Sequence, residues 1–192
     1  MTGEKGRSSA ASQSETFAAE VFETHDGSLI VADTPGSNAM TDQFAHILHF
    51  SHALNFRPVT CIVIVVKADV RIDSVIENIT KYAEGIPENF PIEQICVYVT
   101  HMDLVSWSEN DILEKMIDEL GLETAGFSSL ESTGETLKKD LLSMCTHKLP
   151  VEVSINSEQF FSMFDLGSKA TKLLQEAKKE VRTFEKMKED FC

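Results

Sequence analysis

A chain of 192 residues can bury the core of one domain and is short for two. Its 42% hydrophobic content is that of an ordinary globular protein rather than a disordered chain, and its longest apolar run, residues 61–66, is too short to span a membrane. A formal charge of -14 repels nucleic acid and anionic lipid, so neither is expected as a general partner.

Residues 1–15 are polar and rich in Gly and Ser; they read as a leader without the apolar stretch of a secretory signal. Residues 17–22 then alternate, with Phe17, Ala19 and Val21 on one side, and His25-Asp26-Gly27 supplies a turn. This predicts a hairpin, placed as a single antiparallel edge on an otherwise parallel sheet. Buried strands are expected at 29–32, 61–66, 95–99 and 151–155. The middle two are nearly continuous in apolar and β-branched residues, as in strands covered on both faces.

Helical spacing of apolar residues predicts helices over 40–54, 74–84, 109–120 and 134–145, the third stopped by Gly121 and started by a Ser108 cap. Alternation of strand and helix gives an α/β fold, a mostly parallel sheet with helices on both faces. Such a sheet binds its ligand at the carboxyl ends of its strands. Residues 166–192 carry one apolar stripe on a long charged helix, packed back on the domain or engaging a partner. This tail is net +2, leaving -16 on the remainder. The domain proper is thus expected over 16–165.

Cys61, Cys96, Cys145 and Cys192 form no C-x-x-C pair, and two of them lie in apolar runs, which suits a reduced, cytoplasmic protein. Cys192 completes no prenylation box. His46, His49 and His52 recur every three residues in the first helix, a pattern that fits a polar side better than a metal site, since only neighbouring pairs share a face. Trp107 reads as a loop anchor.

Two motifs fall at strand ends. The first is Asp33-Thr34-Pro35-Gly36 after residues 29–32. An aspartate there can hold Mg²⁺ through water, and a glycine three residues on lets a backbone N–H approach a terminal phosphate; the same tetrapeptide also serves as a plain turn. The second is Thr100-His101-Met102-Asp103 after residues 95–99. A carboxylate at that point can accept both the N1–H and the exocyclic amine of guanine, a pairing adenine does not offer; a solvated acid starting a helix is the alternative.

The order of these motifs, and the segment CIVIVVKADVRIDSVIENITKYAE between them, resembles the G-domain GTPases. More narrowly it resembles the septin-related branch holding the GIMAP-like immunity-associated nucleotide-binding proteins and the chloroplast-import GTPases. The resemblance implies a P-loop NTPase fold binding GTP or GDP with Mg²⁺, and a slow GTPase or dimerising switch. It also implies a homodimer or protein partner engaged through the G-domain face or the C-terminal helix. Under it, Gly6, Arg7 and Ser8 correspond to the end of the phosphate loop, Ser8, Thr16 and Asp33 to the metal set, and Gly36 to the phosphate sensor. Thr100, His101, Asp103 and Asn156 correspond to the base set.

The chain departs from the pattern at its start, where no apolar strand precedes Gly6 and Arg7 stands for lysine, whose point charge a planar guanidinium does not replace. His101 also stands where small GTPases carry lysine. A first strand is therefore expected to be missing and the phosphate loop to be degenerate. The alternative function is a pseudo-GTPase, an interaction module that binds no nucleotide.

Overall fold

The computed structural model of the chain describes residues 19–34 and 43–153, the side chains of the second stretch from 49 onward. The chain divides into two units, 1–155 and 156–192, and every described residue belongs to the first. The helix expected over 166–192 lies outside the described residues.

The elements run β1 (Glu20–Glu23), β2 (Ile30–Asp33), α1 (Gln43–Phe56), β3 (Ile62–Lys67), α2 (Ile72–Ala83), β4 (Ile95–Thr100), α3 (Glu109–Leu120), β5 (Ala125–Phe127) and α4 (Gly134–Cys145). Strands β3, β4 and β5 form a parallel sheet in that order, with Val63 opposite Cys96 and Val97 opposite Ala125. β4 is central, and residues 95–99 are all buried, which is why that run is apolar without alternation. β3 alternates instead: Ile64 and Val66 are buried while Val65 is exposed. Two cores lie on the two faces of this sheet. One gathers Ile64, Val66, Val97 and Val99 with Val75, Ile79, Ile112 and Met116 of α2 and α3, and with Leu54 of α1. The other gathers Cys96, Tyr98 and Met144, with Leu137 and Leu141 of α4 against them.

Two expectations are corrected. The hairpin forms as expected, Glu20 opposite Asp33 and Glu23 opposite Ile30, but it is a two-stranded sheet of its own rather than an edge of the parallel one. Val151, at the start of the strand expected over 151–155, makes an isolated antiparallel bridge with Val59 rather than joining the parallel sheet, whose third strand among the described residues is β5. β5 has three residues and one is glycine, too short a run to show a pattern.

Helix ends follow their caps. Ser108 and Asp111 make a reciprocal capping box that starts α3. Gly121, in the left-handed region at φ 67°, ends it, its N–H bonded to Ile117 O and that of Leu122 to Met116 O.

Candidate functional site

The carboxyl ends of the three parallel strands are knit into one loop cluster by backbone hydrogen bonds. Ala68 N donates to Thr100 O at 2.8 Å, Ser128 N to Val99 O at 2.9 Å and Met102 N to Ser128 O at 3.0 Å. The loop after each strand is then held by side chains. Asp69 accepts from Arg71 N and leads into α2, and the Trp107 indole donates to Asp69 O at 2.8 Å, anchoring the approach to α3 on the end of β3. Ser129 and Ser132 close the turn after β5, Ser129 N bonding Ser132 Oγ at 3.0 Å.

Within this cluster Thr100, His101 and Asp103 stand together. The Thr100 hydroxyl donates to Val66 O at 3.3 Å, turned toward the sheet rather than outward. His101 Nδ1 lies 2.9 Å from Thr100 Oγ1; since the one hydrogen of that hydroxyl is turned to Val66 O, Nδ1 is the donor of the pair. His101 adopts φ 62° and ψ 38°, a left-handed conformation that costs a non-glycine residue about 1–2 kcal/mol and is held here by the bonds on either side. Its effect is to turn the chain sharply from β4 into the 3₁₀ turn Met102–Leu104. Asp103 in that turn is exposed. Its Oδ1 accepts from Leu130 N at 3.1 Å, and its Oδ2 has no partner among the described residues. One edge of the carboxylate is thus oriented by the protein while the other remains open to a donor pair.

The sequence reading missed the residues 128–132 that position Asp103. Their signal was present as a Ser/Thr/Gly-rich run between a short apolar segment and α4, the composition of a loop leading to a capped helix.

Asp33 ends β2 on the separate hairpin and is exposed. The hairpin is tied to α4 by Lys138 Nζ, 2.7 Å from Asp26 Oδ2, and its turn is closed by buried Thr24, whose Oγ1 accepts from Leu29 N. Gly6, Arg7, Ser8, Thr16, Gly36 and Asn156 lie outside the described residues. His49 is half-buried and His52 exposed, its ring 6.4 Å from that of Phe56. Among the described residues no group of three or more His, Cys, Asp or Glu is arranged to hold a metal ion.

Two open grooves lie elsewhere on the described residues. The larger, about 420 Å³, is open between α2 and α3 and lined by Asp73, Glu77, Glu84 and Glu119 with Lys81. The smaller, about 320 Å³, runs along β5 beside Asp140 and Met144. Neither is lined by Thr100, His101 or Asp103. No helix among the described residues is long and apolar enough to cross a membrane. Comparison with protein-family models and with curated proteins gives no match.

Proposed function

We propose that the chain is a P-loop GTPase-like G domain that binds guanine nucleotide, with Asp103 reading the base. The observation that carries this reading is the oriented, half-open carboxylate of Asp103 at the carboxyl end of the central parallel strand, beside the strained His101 turn. A guanine edge offers N1–H and an exocyclic N–H as parallel donors, and one carboxylate accepts both. Thr100 acts here as a positioning residue, its hydroxyl bonding β3 and His101 rather than the base. Asp33 and Gly36 would serve the metal and terminal phosphate, a bound Mg²⁺ supplying neutralisation of the phosphate charge. The reading places the protein in the cytosol, a reducing compartment that suits Cys61, Cys96 and Cys145, which are unbridged among the described residues.

The test uses a change of base complementarity. Asp103→Asn converts an acceptor pair into an acceptor and a donor, which matches xanthine, whose C2 bears a carbonyl in place of the amine. With Mg²⁺ and fluorescent nucleotide analogues, the unaltered chain is expected to prefer GTP to ATP and XTP. Asp103→Asn should prefer XTP, and Asp103→Ala should lose about 1–3 kcal/mol, roughly fivefold to 150-fold in affinity. Indifference of a folded chain to all three nucleotides refutes the base site.

A second reading, an interaction module that binds no nucleotide, is favoured by one observation: β2 pairs only with β1 and β3 only with β4 among the described residues, while Val65 on β3 and Val70 after it are 62% and 79% exposed. Unpaired strands with exposed apolar side chains are where a partner or second copy binds. A folded chain that binds no nucleotide but forms a dimer lost in Val65→Lys supports this module.

A further inference from the structure

Two thiols and an ammonium group meet on the α4 face of the parallel sheet. Cys61 directly precedes β3, Cys96 is the second residue of β4, and Lys148 lies three residues beyond the end of α4. Because Val63 is opposite Cys96, Cys61 lies on the same face two residues back, just outside the paired residues of β3. Cys61 Sγ donates to Cys96 Sγ at 3.2 Å, and Lys148 Nζ donates to the same sulfur at 3.1 Å.

Packing accounts for a buried cysteine on a central strand, but not for an ammonium group turned onto its sulfur. A sulfur accepting from both a thiol and an ammonium is set up to carry negative charge. The Cys61 thiol first, and the Lys148 ammonium after it, bring Cys96 down to about 6 against the opposing effect of burial. Access divides the pair: Cys96 is 0% exposed, whereas Cys61 is half-buried, so a reagent in solution meets the Cys61 sulfur first. An S–S bond of about 2.0 Å asks the two sulfurs to close by about 1.2 Å, and Cys61, outside the β3–β4 register, is the residue that can turn in. A tetrahedral Zn²⁺ site would instead hold its sulfurs about 3.8 Å apart, as Zn–S bonds of about 2.3 Å require.

We propose that Cys61 and Cys96 form a reversible disulfide by exchange with a low-molecular-weight disulfide, Cys61 meeting the reagent and Cys96, backed by Lys148, acting as resolving thiolate and leaving group. The pair holds one proton between its two sulfurs. As the Cys61 sulfur attacks a sulfur of the reagent, that proton passes along the S–H···S bond to Cys96. The mixed disulfide forms at Cys61, the reagent's S–S bond breaks, and the first reagent thiolate departs with the proton as a thiol. The Cys96 thiolate, beside the Lys148 ammonium, then attacks the Cys61 sulfur; the Cys61–Cys96 bond forms and the second reagent thiolate leaves. The two sulfurs of the chain lose two electrons and the reagent disulfide gains two. In the reverse direction an external thiolate attacks Cys61 and Cys96 leaves as the thiolate that Lys148 stabilises, which makes the bridge quick to reduce. The site does not depend on nucleotide binding.

The test uses the full chain carrying Cys192→Ser. It is equilibrated with oxidised and reduced glutathione, quenched with acid, alkylated, and mapped by mass spectrometry without reduction. One intrachain disulfide, Cys61–Cys96, is expected, with Cys145 outside it. Added to this background, Cys96→Ser should stop at a glutathione mixed disulfide on Cys61, and Cys61→Ser should leave Cys96 unmodified. Lys148→Met should slow reduction of the bridge by dithiothreitol about tenfold and raise the fraction oxidised at a fixed glutathione ratio, while Lys148→Arg keeps the parent values. Circular dichroism before oxidation checks each fold, and Cys→Ala replaces any serine variant that is unfolded. The proposal is overturned by a folded parent that keeps Cys61 and Cys96 as thiols at every glutathione ratio, or by a disulfide joining either of them to Cys145. Glutathione on Cys96 of the folded Cys61→Ser variant, or a Lys148→Met bridge reduced as fast as the parent's, overturns it equally.

Discussion

Gly126 has no room for a side chain. A Cβ there would stand 2.5 Å from Met144 Cε and 2.6 Å from Tyr98 Cε2, so α4 and β4 close over β5 only because this residue is glycine. Gly126→Ala is expected to cost about 1–3 kcal/mol by overpacking, read as a lower Tm. His101 poses the opposite case, a side chain where the backbone favours none. His101→Val should destabilise by about 1–2 kcal/mol more than His101→Gly, because a β-branched residue tolerates φ 62° least; equal Tm values for the two variants would argue that the turn relaxes. Tyr98 adds a pH dependence. Its hydroxyl donates to Asp140 at 3.1 Å, and burial together with that carboxylate pushes its pKa up to about 12 from 10.0. A raised folded-state pKa contributes stability that is present below pH 10 and lost as the pH rises toward 12. Tyr98→Phe should therefore flatten denaturant stability measured across that window.

At the scale of elements, an ion pair between Lys138 and Asp26 ties the hairpin to α4. The Lys138 ammonium, and after it the Ser28 hydroxyl, hold the Asp26 carboxyl well below its ordinary value of 3.8. A depressed folded-state pKa contributes stability above the unfolded value and loses it as the pH falls through the folded one. The tie between hairpin and α4 is thus expected to survive pH 4 and to fail only in stronger acid. Amide exchange of residues 20–33 should report this, with Lys138→Met raising exchange in the hairpin at neutral pH while α3 stays protected. The capping box of α3 is a second local device, and Ser108→Ala should cost about 1 kcal/mol. The ends of α3 and α4 were legible because caps and 3.6-residue periodicity are properties of neighbouring residues: both helices occupy the ranges read from sequence. β5 was not legible, since three residues with a central glycine carry no period, and its strand character comes from pairing with Val97 and Val99 of β4.

For the whole molecule, a charge of -14 sets a background of self-repulsion that salt screens, so moderate salt is expected to raise Tm, and to favour any association through β3. Composition, the alternation of strand and helix, the carboxyl-end location of the 100–103 motif and the exclusion of a long apolar span all follow from the sequence by itself, because each rests on counts or on short-range spacing. Three features were decided only by tertiary structure. The hairpin stands as a sheet apart from β3, β4 and β5; Leu130, 27 residues beyond Asp103, orients its carboxylate; and Cys61, Cys96 and Lys148, separated by 35 and 52 residues, share one sulfur. Contacts at such separations depend on which strand lies beside which and in what register, and a period of 2 or 3.6 residues carries no record of either.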